Sequence, residues 1–142
     1  MIEIRNEYLK KVIEGLDAFI VGHHELKTLL ILSLITEGNI LIEGTAGVGK
    51  TVTAKVFSML IGGEFKRIQM TADLLPSDII GTPFYNVREG TWGIKKGPIF
   101  ANVVMIDELN RASPRTQSAL LQAMQEKEVT IGESTFKLPS PF

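Results

Sequence analysis

The feature that most constrains the fold of this chain is a glycine-rich octapeptide, Gly44-Thr45-Ala46-Gly47-Val48-Gly49-Lys50-Thr51. It matches the pattern G-x-x-x-x-G-K-S/T at every defined position. Because glycine lacks a Cβ, such a backbone can wrap tightly and direct several N–H groups at one polyphosphate. The apolar run 40–42 precedes the octapeptide and a helical pattern over residues 50–60 follows it, which is the order that a phosphate loop requires. The sequence therefore predicts a phosphate loop at residues 44–51.

Two side chains at the end of this loop have predicted roles toward a bound nucleotide. The ammonium group of Lys50 should reach the β- and γ-phosphates, and the hydroxyl of Thr51 should be a ligand of Mg²⁺. The helix that follows would direct its N-terminal dipole at the same anion. We therefore expect ATP and Mg²⁺ as the cofactors, with residues 44–51 as the binding segment and Lys50 as a catalytic residue too.

A pair of acidic residues, Asp107 and Glu108, forms the second candidate feature. It follows the apolar run 102–106, and ligands of parallel α/β sheets bind at the carboxyl ends of the strands. We therefore expect Asp107 to hold Mg²⁺ through a bound water, and Glu108 to orient or deprotonate the water that attacks the γ-phosphate. Because a kinase uses an acceptor hydroxyl and needs no water-activating carboxylate, this pair favours hydrolysis.

Hydrophobic periodicity predicts helices alternating with strands along the rest of the chain. The predicted helices cover about residues 5–19, 25–36, 50–60 and 114–125, and the predicted strands cover 40–42, 65–70 and 102–106. Two further pairs of short strands, 83–86 with 91–95 and 129–131 with 135–138, are predicted to form hairpins. This alternation indicates an α/β layer architecture with a parallel sheet.

Composition excludes several other classes of protein. The 142 residues are enough for one domain, and 44% hydrophobic with 22% charged residues is typical of a globular chain. A net charge of −1 creates no strong field toward nucleic acid or anionic lipid, and the absence of cysteine excludes disulfides and thiolate metal sites. The sequence shows no signal peptide, and its longest apolar stretch, 29–35, is too short to cross a bilayer. We therefore expect a cytoplasmic protein without a membrane partner.

Several longer segments resemble the MoxR group of AAA+ ATPases, and they are more specific than the phosphate loop alone. The similar segments are residues 20–22, 69–81, 96–102, 107–112 and 118–126. The resemblance implies a P-loop NTPase fold of the AAA+ type, a three-layer αβα architecture with a parallel sheet between two layers of helices. It places Val21 and Gly22 at the approach to the adenine pocket. It also implies a homo-oligomeric ring, hexameric in the full-length protein, which hydrolyses ATP to remodel or mature protein complexes, with von Willebrand A-domain proteins as partners.

The sequence departs from the family pattern in two ways. His23 stands where the family usually has glutamine, which puts its contact near the nucleotide in doubt. The family also continues beyond the position of Phe142 into a sensor strand, an arginine finger, a fifth strand and a helical lid. We therefore expect a partial AAA+ core that stops before the fourth core strand, either as a fragment of a longer protein, here called the parent protein, or as a gene product that stops early. Its N-terminal helices would cover residues 1–39, and the P-loop region with two hairpin inserts would cover residues 40–142.

The missing strands have a predicted physical cost. In the family, the strand over residues 40–42 has neighbours on both sides, so without them its backbone N–H and C=O groups lack partners. We therefore expect this chain alone to be marginally stable, to bind nucleotide weakly and to hydrolyse almost no ATP.

Three interpretations remain open at this point. The first is an ATPase of chaperone type, and the second is a nucleotide-binding module without turnover. The third is a DNA-remodelling motor, which would need basic hairpin tips, whereas the tips here carry Arg88-Glu89 and Glu133. Nucleic acid is therefore not an expected partner.

Arg111 would act across a subunit interface or form an ordinary ion pair.

Overall fold

Helices and strands alternate along the computed structural model, which describes residues 6–43 and 49–142. The helices are α1 (Glu7–Phe19), α2 (His24–Thr36), α3 (Lys50–Leu60), α4 (Pro76–Ile80) and α5 (Pro114–Glu126). The strands are β1 (Phe65–Gln69), β2 (Gly81–Asn86), β3 (Thr91–Lys96), β4 (Val103–Asp107), β5 (Glu128–Ile131) and β6 (Ser134–Lys137). The chain divides into two compact units, one up to residue 65 and one over residues 66–140. None of the helices described here is long and apolar enough to cross a membrane.

The first unit is built from α1, α2 and α3. The Asn6 side chain accepts hydrogen bonds from the backbone N–H groups of Tyr8 and Leu9, at 3.0 and 3.3 Å, and so caps α1. Val12 and Leu16 form the buried stripe of α1, each 1% exposed. Gly15 of α1 lies so close to Leu60 of α3 that a Cβ added at this glycine would overlap the Leu60 side chain. This unit therefore holds the C-terminal end of α3 against α1.

An ion pair joins α1 to α2 inside the first unit. The Lys27 ammonium group is 2.8 Å from the Asp17 carboxylate, and Lys27 is 8% exposed. The hydrogen bond and the charge of Lys27 hold the pKa of Asp17 below its usual 3.8, and His24 adds a smaller effect in the same direction. Because the folded-state pKa is the lower one, the pair contributes stability above the ordinary pKa. That contribution is lost as the pH falls through the folded-state value.

This linkage gives a pH-dependent prediction. Asp17→Asn is expected to lower the melting temperature at pH 7, because Lys27 would keep its charge in a nearly buried place. Below about pH 4 the difference from the wild type should shrink, since the wild-type carboxylate is then being protonated. Thermal melts at neutral pH and at about pH 2.5 measure both values. Glu14→Gln, on an exposed position of the same helix, is the control. An undiminished deficit at the lower pH would contradict the linkage.

The predicted strand at residues 40–42 is wrong. Residues 37–43 form no helix or strand beyond the turn that ends α2, and the side chains of Leu41 and Ile42 are 78% and 40% exposed. An extended segment becomes a strand only when another strand accepts and donates its backbone hydrogen bonds. Among the described residues of the first unit up to position 64, only helices and irregular segments occur. The apolar residues 40–42 therefore lack, in the described part of this unit, a neighbouring strand with which to pair.

The second unit is built around the pairing of β1 with β4. The two strands are parallel, and the Met70 N–H donates to the Asp107 carbonyl at 3.0 Å, which extends the pairing to the end of β4. Met70, Ile79 and Ile99 are fully buried, and α5 packs Leu120 and Ala123 into the same cluster. The short helix α4 was not predicted, and it begins at Pro76 with the Asp78 carboxylate accepting from the Leu75 N–H at 2.8 Å. This core fixes the end of β4.

Two antiparallel hairpins extend from this unit, as the sequence predicts. The β2–β3 hairpin pairs Gly81 with Lys96 through to Asn86 with Thr91, and the β5–β6 hairpin pairs residues 128–131 with 134–137. The Lys96 ammonium group lies over the rings of Phe100 and Phe136, 4.7 and 5.5 Å from their centroids. Because Phe136 belongs to β6, this cation joins the first hairpin to the second.

Candidate functional site

The end of the phosphate loop lies at the start of α3. Gly49 precedes the helix with φ 76°, in the left-handed region that favours glycine, and its carbonyl accepts from the Thr53 N–H at 3.0 Å. Lys50 and Thr51 occupy the first turn of α3, and both are half-buried. The predicted phosphate-loop residues Gly44, Thr45, Ala46, Gly47 and Val48 lie outside the described residues. The described part of the loop therefore presents a lysine and a hydroxyl at a helix N-terminus.

The segment between α1 and α2 holds the residues predicted to approach the adenine. Val21 is 94% exposed, and Gly22 has φ 75°. His23 also adopts a left-handed backbone, with φ 52°, and its Nε2 lies 3.8 Å from where a Cβ on Gly49 would be. The structure therefore puts His23 beside the end of the phosphate loop, where the sequence analysis left its contact in doubt.

The predicted acidic pair lies at the end of β4. Asp107 is the last residue of the strand, and its side chain is 22% exposed. Glu108 leaves the sheet with φ 54° and caps a 3₁₀ turn over Leu109–Arg111. The left-handed backbone at Glu108 is uncommon for a residue other than glycine, and such conformations cluster at functional sites. The strand conformation of β4 therefore ends between the two acidic residues.

Each carboxylate has its own arginine. The Arg111 guanidinium donates from Nη1 to Oε2 of Glu108 at 2.7 Å, and both side chains are at least half exposed. The Arg67 guanidinium, from β1, donates from Nε to Oδ2 of Asp107 at 2.6 Å. Sequence reasoning missed Arg67, although its position in a strand predicted to lie in the same sheet as β4 was a usable signal. Asp107 and Glu108 are therefore each held in an ion pair with an arginine.

The donor chemistry of this pair fits Mg²⁺ rather than a metal held by protein alone. Mg²⁺ typically keeps several waters and takes one or two carboxylates together with substrate phosphates. Within residues 6–43 and 49–142, no cluster of three or more histidine, aspartate or glutamate side chains could hold a metal ion. Asp107 would serve as such a carboxylate.

The chain has a phosphate-loop sequence at the start of a helix and an acidic pair at the end of a parallel strand. Together with the α/β fold, these features are typical of P-loop nucleotide-binding proteins. Residues 39–142 match the model of the ATPase family associated with various cellular activities (AAA). The chain belongs to this family and, within it, to the MoxR group.

Three similar proteins support this assignment. The chain is 43% identical to the uncharacterized protein YeaC of Bacillus subtilis, over 94% of this chain and 42% of YeaC. It is equally identical, at 43%, to the chaperone MoxR1 of Mycobacterium tuberculosis, over 94% of this chain and 36% of MoxR1. The crystal structure of a candidate ATPase from Cytophaga hutchinsonii superposes with a TM-score of 0.84 at 44% identity, over 95% of this chain and 41% of that one. The chain thus spans about two fifths of the length of these relatives.

Proposed function

We propose that this chain binds ATP together with Mg²⁺ through residues 44–51 and Asp107. The observation that carries the proposal is the start of α3. The motif lysine and threonine occupy the first helical turn, directly after a left-handed glycine. At a helix N-terminus a lysine, a hydroxyl and the backbone N–H groups of the first turn can all serve one anion. Val21 and Gly22 are proposed to approach the adenine, since they lie in the same unit of the chain.

In the parent protein, we propose that the bound ATP is hydrolysed. Glu108 is the proposed base or water-orienting group, Asp107 the Mg²⁺ ligand and Lys50 the residue that stabilises charge on the transferred phosphoryl group. The work obtained from hydrolysis would remodel or mature protein complexes within a homo-oligomeric ring. The naming of M. tuberculosis MoxR1 as a chaperone supports that part of the proposal.

A second candidate is nucleotide binding without turnover by this chain alone. It is favoured by the irregular segment 37–43, because the backbone that leads into the phosphate loop is not held in a sheet. Separate measurements of ATP binding and ATP hydrolysis, on this chain and on the parent protein, distinguish the two functions. Binding by both with hydrolysis by the parent protein alone is the expected result.

Removing the motif lysine gives the direct test of nucleotide binding. Lys50→Met is expected to weaken ATP binding about 10–100-fold, because a charge-assisted hydrogen bond to a phosphate contributes roughly 1.5–3 kcal/mol. Lys55→Met, at an exposed position of the same helix, is the matched control and should bind as the wild type does. Titration calorimetry with Mg²⁺ and a non-hydrolysable ATP analogue measures the affinity. Equal affinities for Lys50→Met and the wild type would exclude the proposed phosphate contact.

A further inference from the structure

Two short contacts between Arg67 and Asp107 meet at one carboxylate oxygen. Nε of Arg67 is 2.6 Å from Oδ2 of Asp107, and Nη2 is 2.5 Å from the same oxygen. A side-on pair would instead spread its two N–H groups over both carboxylate oxygens. The guanidinium thus fixes the rotation of the carboxylate while neither of these contacts uses Oδ1.

Arg67 is itself held along the same edge of the sheet. Its Nη2 is 3.4 Å from Oε1 of Gln69, two residues further along β1 and therefore on the same face of the strand. The side chain of Arg67 is 51% exposed, so water screens much of its positive charge. Its field thus opposes a second cation only weakly.

We propose that Arg67 is a positioning residue, which holds Asp107 by Oδ2 so that Oδ1 is presented to the Mg²⁺ of bound MgATP. This inference rests on the proposed function, since it needs the chain to bind ATP with Mg²⁺. Carboxylates that bind metals are commonly oriented by a hydrogen bond from a second residue, and loss of that residue typically lowers metal affinity about 10–100-fold. Arg67 has the geometry of such a partner.

The opposite role, in which Arg67 competes with the metal, fits the contacts less well. A competing guanidinium would cover both oxygens of the carboxylate, whereas both of the short contacts meet at Oδ2. The neighbouring carboxylate, Glu108, has a separate partner in Arg111. Of the two carboxylates, Arg67 is therefore paired with Asp107 and Arg111 with Glu108.

The test measures the Mg²⁺ gain, defined as the Kd for ATP in EDTA divided by the Kd in Mg²⁺, with a non-hydrolysable ATP analogue as the probe. Arg67→Met is expected to leave the Kd in EDTA unchanged and to reduce the Mg²⁺ gain about 10–100-fold. Arg67→Lys keeps the charge but offers no planar pair of N–H groups, so it should restore only part of the gain. The double variant Arg67→Met/Asp107→Asn should be no worse than Asp107→Asn, because Arg67 acts through Asp107.

Arg88→Met, in the exposed turn of the β2–β3 hairpin, is the matched control and should keep the full Mg²⁺ gain. Circular dichroism of every variant checks folding, and Arg67→Lys supplies the answer if Arg67→Met does not fold. A Mg²⁺ gain within twofold of the wild type in the Arg67 variants would overturn the inference and leave the proposed function standing. A larger gain than the wild type would show competition and would overturn it as well. If the wild type binds no ATP in either condition, the proposed function fails and the inference fails with it.

Discussion

Replacement of Glu108 by glutamine is expected to leave ATP binding by the parent protein intact and to reduce its ATP hydrolysis about 10²–10⁴-fold. Glutamine has nearly the same shape as glutamate and can still hydrogen-bond, but it cannot accept a proton from the attacking water. The ion pair with Arg111 at 2.7 Å holds Glu108 in the resting structure, and its loss does not touch the proposed phosphate contacts. Binding and turnover should therefore separate in this variant.

The measurement compares steady-state ATPase rates with the Kd for a non-hydrolysable ATP analogue. Glu133→Gln, in the exposed turn of the β5–β6 hairpin, is the matched control, and its rate should equal that of the wild type. If Glu108→Gln hydrolyses ATP as fast as the control, another group activates the water. If it loses ATP binding as well, Glu108 acts on the bound nucleotide and not only on the water.

The second large effect concerns the connection between β3 and β4. Gly97→Ala is expected to destabilise the second unit by about 3 kcal/mol, because the added methyl group has no space. A Cβ at position 97 would lie 2.6 Å from the carbonyl carbon of Ile79 and 2.7 Å from the nitrogen of Gly81. Both are backbone atoms next to a fully buried Ile79, so they cannot turn away as a side-chain end could. Urea unfolding followed by circular dichroism measures the free energy of unfolding.

Gly90→Ala is the control for this prediction. Gly90 has φ 65°, and the nearest atom to its added Cβ would be the Tyr85 hydroxyl oxygen at 3.8 Å. It should therefore cost only the left-handed backbone strain, about 1 kcal/mol. If the two variants lose the same stability, the close approach at Gly97 has no effect of its own.

Most elements of the second unit were predictable from the sequence because their patterns are local. The turn 87–90 with its glycine fixes the β2–β3 hairpin, and the apolar run that ends in Asp107 fixes β4. The helix over Lys50–Leu60 is confirmed residue for residue. The short helix α4 was missed because proline followed by polar residues also predicts a turn.

Features that depend on distant neighbours could not be predicted in the same way. Residues 40–42 have the composition of a buried strand, but composition does not supply a pairing partner. Apolar residues surround α2 on all sides and define no single buried face, and Leu32 of this helix is 50% exposed. Within the candidate site, the residue types of the acidic pair were predictable, but the partnership with Arg67 depends on the register of β1 against β4. Neither strand encodes that register on its own.

The cation between Phe100 and Phe136 has a mechanical consequence. The β2–β3 hairpin carries an exposed Trp92 near its tip, 5.4 Å from the Tyr85 ring, and its base continues through residues 97–102 directly into β4. Because the Lys96 ammonium group lies over the Phe136 ring of β6, a displacement of that base would also change this contact with the second hairpin. The two hairpins thus share a contact at the base of the first one, on the chain segment that leads to Asp107.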